Sequence, residues 1–171
     1  MSDIKQLIEK DYQLKTKKFL NNNIKYPYIL LGDSMAAYLN LSLFNFTDMM
    51  NQGIAGDTTL GVLNRLDAVI QISPKLVFLN IGSNDLVLTD LTIDQSIDNI
   101  IAIKARIEEK TDAIVYVFSM TPVLRDHEIS NMTYIGKRDN PTLKKINHQL
   151  ISKMDEKYIL HIYDELLDSH H

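Results

Sequence analysis

The chain has 171 residues, 45% of them hydrophobic, which is enough apolar side chain for one sizeable core and points to a single domain over 1–171. A formal net charge of −4, with lysines spread along the chain, offers no basic field to a polyanion and argues against nucleic acid as a partner. With no cysteine, disulfides and thiolate metal sites are excluded; the opening MSDIKQLIEKDYQLKTKK is too charged for a secretion signal and no apolar run approaches the roughly 20 residues of a membrane span, so a cytoplasmic protein fits best.

Taken in chain order, Ile4, Leu7, Ile8 and Leu14 recur at helical spacing and predict a first helix with these side chains in the core. Residues 28–31 and 48–51 read as the first two strands, followed by a helix carrying Leu60, Leu63 and Leu66. The most continuously apolar runs, KLVFLNIG and AIVYVFSM, place strands at 76–81 and 113–119, both expected at the centre of the sheet. Between them Ile97, Ile100, Ile101 and Ile107 mark a helix. Leu143, Ile146 and Leu150 mark another, before a fifth strand at 158–163. Short apolar runs alternating with helix-period segments predict an α/β fold, a three-layer α/β/α sandwich around a flavodoxin-like, doubly wound, five-stranded parallel sheet.

Ligands of such sheets gather at the carboxyl ends of the strands. In YILLGDSMAAYL, Gly32 permits a tight turn after the first strand, so the hydroxyl and backbone N–H of Ser34 can face that crevice; equally, Asp33 or Ser34 can serve only to cap the next helix. In NQGIAGDTTLGVLNRL, Gly53 and Gly56 let backbone approach a ligand, and Asp57, Thr58 and Thr59 suit a helix start, although a glycine-rich turn is commonplace. In LNIGSNDL, the third strand ends at Gly82 and then presents Asn84 and Asp85, which a turn also explains. Neither a dinucleotide fingerprint nor a metal-ligand spacing is present, so no cofactor or metal is expected.

Together the three blocks resemble the SGNH hydrolases, also called the GDSL esterase/lipase family, through Gly32-Asp33-Ser34, Gly56 in GIAGDTT, and Gly82-Ser83-Asn84-Asp85. The likeness runs from about residue 28 to the C-terminus and is closest to the branch of the platelet-activating-factor acetylhydrolase catalytic subunits. It implies a carboxylic ester hydrolase acting on small acetyl or short acyl esters through an acyl-enzyme. In that reading Ser34 is the nucleophile. The oxyanion donors are the backbone N–H groups of Ser34 and Gly56 and the side-chain amide of Asn84. Asp33 and Asp85 cap or brace their loops. Because that branch forms dimers, the resemblance also implies a homodimer.

The family draws its base from a late Asp-x-x-His motif, and the one formal match is DSHH, with His171 as base and Asp168 as its orienting partner. The match lies only a few residues past the fifth strand, lacks the usual Asp-Gly-Leu-His wording and falls where chain ends fray. Three explanations fit: a true dyad in a shortened protein, a chain truncated before its real motif, or a lost base; truncation of the C-terminal end is favoured. Of the other histidines, His161 is expected in a strand, His148 on a helix and His127 in a solvated loop, while His170 has the wrong spacing to Asp168. The polar segment 121–141 is expected to shape access to the site. The rival reading from another class is a non-catalytic module that binds a small anionic or acyl ligand in the same crevice. A phosphate-binding flavodoxin-like domain is a third, and it leaves Asn84 unexplained.

Overall fold

The computed structural model describes residues 2–123 and 138–167, the side chains of residues 2–5 apart. Among the described residues the apolar runs form five parallel strands in the order β2-β1-β3-β4-β5. They are β1 Tyr28–Gly32, β2 Met49–Gly53, β3 Leu76–Asn80, β4 Ile114–Phe118 and β5 Ile159–Leu160. Helices α1 Ser2–Leu20, α2 Ser34–Ala37, α3 Thr59–Asn64, α4 Asp67–Ile70, α5 Asp85–Leu88, α6 Ile93–Lys110 and α7 Asn140–Lys153 cover both sides of the sheet. This is the expected three-layer sandwich with flavodoxin-like strand order.

The sheet is apolar because both its faces are covered: Ile29, Leu31, Val77, Leu79, Val115 and Val117 have no exposed surface. Helix α6 shows how the sequence sets one covering element. Thr92 accepts from the backbone N–H of Gln95 while the Gln95 side chain accepts from the Thr92 N–H, so a reciprocal cap starts the helix. Its stripe of Ile97, Ile100, Ile103 and Ile107 is then fully buried, each side chain stabilising the fold by about 1.5–3 kcal/mol.

Several expectations shift. Strand β3 alone is central, and β1 shares the flanking position with β4. Strand β2 runs on to Gly53, because the buried Gln52 has a partner inside, donating from Nε2 to the Ala68 carbonyl at 3.1 Å. Gly53 lets β2 pack closely on α2: a Cβ there would lie 2.2 Å from the backbone nitrogen of Ala37. Strand β5 is only two residues long, because the Ser119 hydroxyl accepts from the backbone N–H groups of Ile162 and Tyr163 and so ends the ladder. His161 lies beyond that strand, beside Glu156. On α1, Leu7 and Leu14 are 66% and 61% exposed, so that part of the apolar stripe is not buried. Of the expected stripe Ile8 does face inward, where it is joined by Tyr12 and Phe19, with Tyr12 and Phe19 packed around Ile54 and Ala68. Leu60 is likewise exposed on α3.

No helix among the described residues is long and apolar enough to cross a membrane.

Candidate active site

The order of the sheet reverses between β1 and β3, and there the loops after β1, β2 and β3 come together. Their ends are level, since Gly32 pairs with Gly53 on one side and with Asn80 on the other. After β1, the Asp33 carboxylate accepts from the Met35 N–H at 2.9 Å and caps α2, which makes Ser34 the first helical residue. After β2, the chain turns through Gly56 at φ +79° and enters α3, capped by Thr58. The left-handed angle at Gly56 is one that a side chain would strain. After β3, the chain turns at Gly82 and presents Asn84 at the foot of α5.

Ser34, Gly56 and Asn84 line one cavity of about 320 Å³, walled also by Ile8, Tyr38, Ala55 and Arg138. Asn84 is buried, and both ends of its amide are held. Nδ2 donates to the Asp57 carbonyl at 2.8 Å, and Oδ1 accepts from Arg138 Nη2 at 2.8 Å. A primary amide carries two N–H bonds, so one remains to face the cavity that Asn84 lines. Neither the Ser34 nor the Gly56 backbone N–H donates to any group among the described residues. The site thus combines a hydroxyl able to attack a carbonyl, given a base, with three donors able to stabilise the resulting oxyanion.

Buried ionic contacts set the loops. Arg65 Nε donates to Asp57 Oδ2 at 2.8 Å, and Arg65 Nη2 donates to the Gly32 carbonyl at 3.2 Å, tying the turn after β2 to the end of β1. Asp85 accepts from the backbone N–H and the hydroxyl of Thr59, and that hydroxyl in turn accepts from Asn99 Nδ2. Asp33 and Asp85 therefore cap and brace, as expected from sequence. Burial pushes the Asp33 carboxyl up to about 6, against the Met35 hydrogen bond and the nearby Arg138 charge. Burial also raises Asp57 and Asp85; the Arg65 guanidinium opposes the first shift and Thr59 the second.

Asp168 and His171 lie outside the described residues, as do His127 and His170. The two described histidines are not at this cavity. His148 on α7 and His161 after β5 line a separate one of about 330 Å³ with Ser119, Lys144 and Tyr163. Among the described residues no group of three or more His, Cys, Asp or Glu side chains is placed to hold a metal ion. Three participants escaped the sequence reading. Arg138 sits in the polar segment 121–141 without a motif of its own, Ile8 was assigned to the core, and the Asp57–Arg65 pair joins residues eight apart with no diagnostic spacing.

Fold and cavity together describe a three-layer α/β/α protein with a ligand crevice at the switch point of its sheet. Residues 28–157 match the GDSL-like Lipase/Acylhydrolase family, and the chain belongs to this family, the SGNH hydrolases, whose members hydrolyse esters. A search of curated protein sequences gave no significant match. Among solved structures, a Streptococcus pneumonia protein provisionally described as a platelet activating factor is similar, with 23% identity, a TM-score of 0.82 and coverage of 99% of this chain and 83% of that one. A GDSL-like lipase from Bacteroides thetaiotaomicron has 16% identity and a TM-score of 0.76, covering 93% and 81%. The psychrotrophic esterase EstA from Pseudoalteromonas has 17% identity and a TM-score of 0.51, covering 84% of each chain. At these identities the likeness establishes the shared fold.

Proposed function

We propose that this chain is a serine esterase, a carboxylic ester hydrolase that cleaves small acetyl or short acyl esters through an acyl-enzyme, all within one domain over 1–171. The observation that carries the reading is the convergence of Ser34, Gly56 and Asn84 on one cavity, with the Asn84 amide clamped between Asp57 and Arg138. Ser34 Oγ attacks the ester carbon and loses its proton to the base, for which the sequence offers His171 oriented by Asp168. The carbonyl electrons move onto oxygen, where the N–H groups of Ser34 and Gly56 and the Asn84 amide receive the charge. Collapse of that intermediate breaks the ester bond, and the departing alkoxide takes the proton from the base. Water then repeats the sequence on the acyl-serine and releases the acid. The side chains and backbone supply nucleophile, base and donors, so the scheme uses no cofactor or metal.

The test is the intact mass of the chain after treatment with a fluorophosphonate, beside the Ser34→Ala variant. A single adduct that disappears in the variant is the expected result, because labelling requires an activated serine. No adduct on either protein overturns the esterase reading and favours a module that holds a small acyl or anionic ligand without turning it over.

A further inference from the structure

We infer that Ile8, on helix α1, is a specificity-determining residue that separates the Ser34 cavity from a second cavity able to take a longer acyl chain; this rests on the esterase reading above. The second cavity holds about 400 Å³ and lies between α1 and α3, lined by Tyr12, Leu60, Gly61, Asn64 and Leu88 among others. Ile8 and Gly56 line both cavities. Their contact is close: a Cβ on Gly56 would meet Ile8 Cγ2 at 2.9 Å and Cδ1 at 3.1 Å, so the isoleucine side chain lies against the bare backbone of the turn.

That turn supplies the Gly56 donor of the proposed oxyanion hole. An acyl group bound there therefore has its carbonyl beside the wall that Ile8 and Gly56 form. Short acyl groups end before the wall. Longer ones need the room beyond it, where Tyr12, Leu60 and Leu88 offer apolar surface. Helix α1 is held there by more than the isoleucine, since the Tyr12 hydroxyl donates to the Gly61 carbonyl at 2.8 Å and Phe19 is buried. Trimming Ile8 thus opens the wall while α1 stays docked. The family match begins at residue 28, so the Ile8 side of this wall comes from a part of the chain outside the matched segment, while Gly56 lies within it.

The experiment measures kcat/KM for p-nitrophenyl esters from acetate to octanoate on the full chain, with Ile8→Ala, Leu7→Ala and the double variant Ile8→Ala/Leu60→Trp. The expected result is that Ile8→Ala raises the octanoate-to-acetate ratio by on the order of tenfold, the discrimination that a methylene or two in a hydrophobic pocket provides. Leu7→Ala, on the exposed side of the same helix, leaves the ratio unchanged. The bulky tryptophan at 60, which narrows the second cavity, returns the double variant toward the wild-type ratio. An unchanged ratio in Ile8→Ala, with its circular dichroism and melting intact, overturns the inference and leaves the esterase reading standing. A raised ratio that persists in the double variant overturns the assignment of the second cavity. Hydrolysis of none of these esters by the wild-type chain, with no fluorophosphonate adduct, overturns the esterase reading and this inference with it.

Discussion

Arg138 holds the Asn84 carboxamide by its oxygen, Nη2 to Oδ1 at 2.8 Å, while the amide nitrogen is held by the Asp57 carbonyl. Clamping both ends fixes which way the remaining N–H points, and that direction matters only once an oxyanion forms. Replacing Arg138 by Met should lower kcat by on the order of tenfold, short of the roughly 10²- to 10³-fold loss expected for Asn84→Ala. Steady-state kinetics on a short ester check this, and an unchanged kcat in Arg138→Met would mean that the asparagine needs no second anchor.

Ser34→Ala should abolish turnover and leave stability within about 0.5 kcal/mol, because the half-buried hydroxyl makes no hydrogen bond to a described residue. Urea denaturation beside an ester assay separates the two effects. Residual activity near the wild-type level would remove Ser34 from the chemistry.

Gly56→Ala meets two penalties. Its φ of +79° lies in the left-handed region, which costs an alanine about 1–2 kcal/mol, and its Cβ would press on Ile8. The variant should be less stable by at least that amount and slower, since the turn that carries the Gly56 N–H must shift. Equilibrium unfolding gives the first number and kcat the second.

Arg65→Met should be among the most damaging single changes away from the cavity. Arg65 and Asp57 are both buried, and removing the cation leaves the carboxylate uncompensated, which typically costs about 3–5 kcal/mol. The double variant Asp57→Asn/Arg65→Met, with neither charge buried, should recover part of that loss. Chemical denaturation of the three proteins decides it, and equal stability of both variants would show that the pair is not coupled.

Asp33 gives the fold a pH dependence. Burial raises its carboxyl from the ordinary 3.8 to about 6 in the folded protein, so the folded state binds the proton more tightly than the unfolded one. Stability from this group is therefore full below about pH 4, declines as pH rises from 4 to 6, and is gone above 6. The difference between the two states corresponds to about 3 kcal/mol. Asp33→Asn keeps a capping side chain and buries no charge, so it should be more stable than wild type at pH 8 and lose that advantage at pH 4. Denaturation midpoints at the two pH values test it.

Much of this was legible in the sequence, because it rests on local pattern. A parallel sheet covered on both faces makes its strands apolar along their length, so β1, β3 and β4 stand out. A helix start selects residues such as Asp33 and Thr58. The three blocks around Ser34, Gly56 and Asn84 each follow a strand, so strand-to-helix punctuation alone sends them to one end of the sheet. What only the tertiary structure decided are relationships between residues distant in the chain. Hydrophobic spacing on α1 put Leu7 and Leu14 in the core along with Ile8, yet the face that docks is set by contacts with Gly56 and Gly61, about 48 residues away, and turns Ile8 and Tyr12 inward while Leu7 and Leu14 stay exposed. The length of β5 depended on one hydroxyl, Ser119, reaching 43 residues along the chain to Ile162. Arg138 sits in a polar segment like any solvated arginine, and only the fold carries it 54 residues back to Asn84. Periodicity and turn chemistry act over a few residues, whereas the clamp on Asn84 and the wall at Ile8 exist only where separate elements pack together.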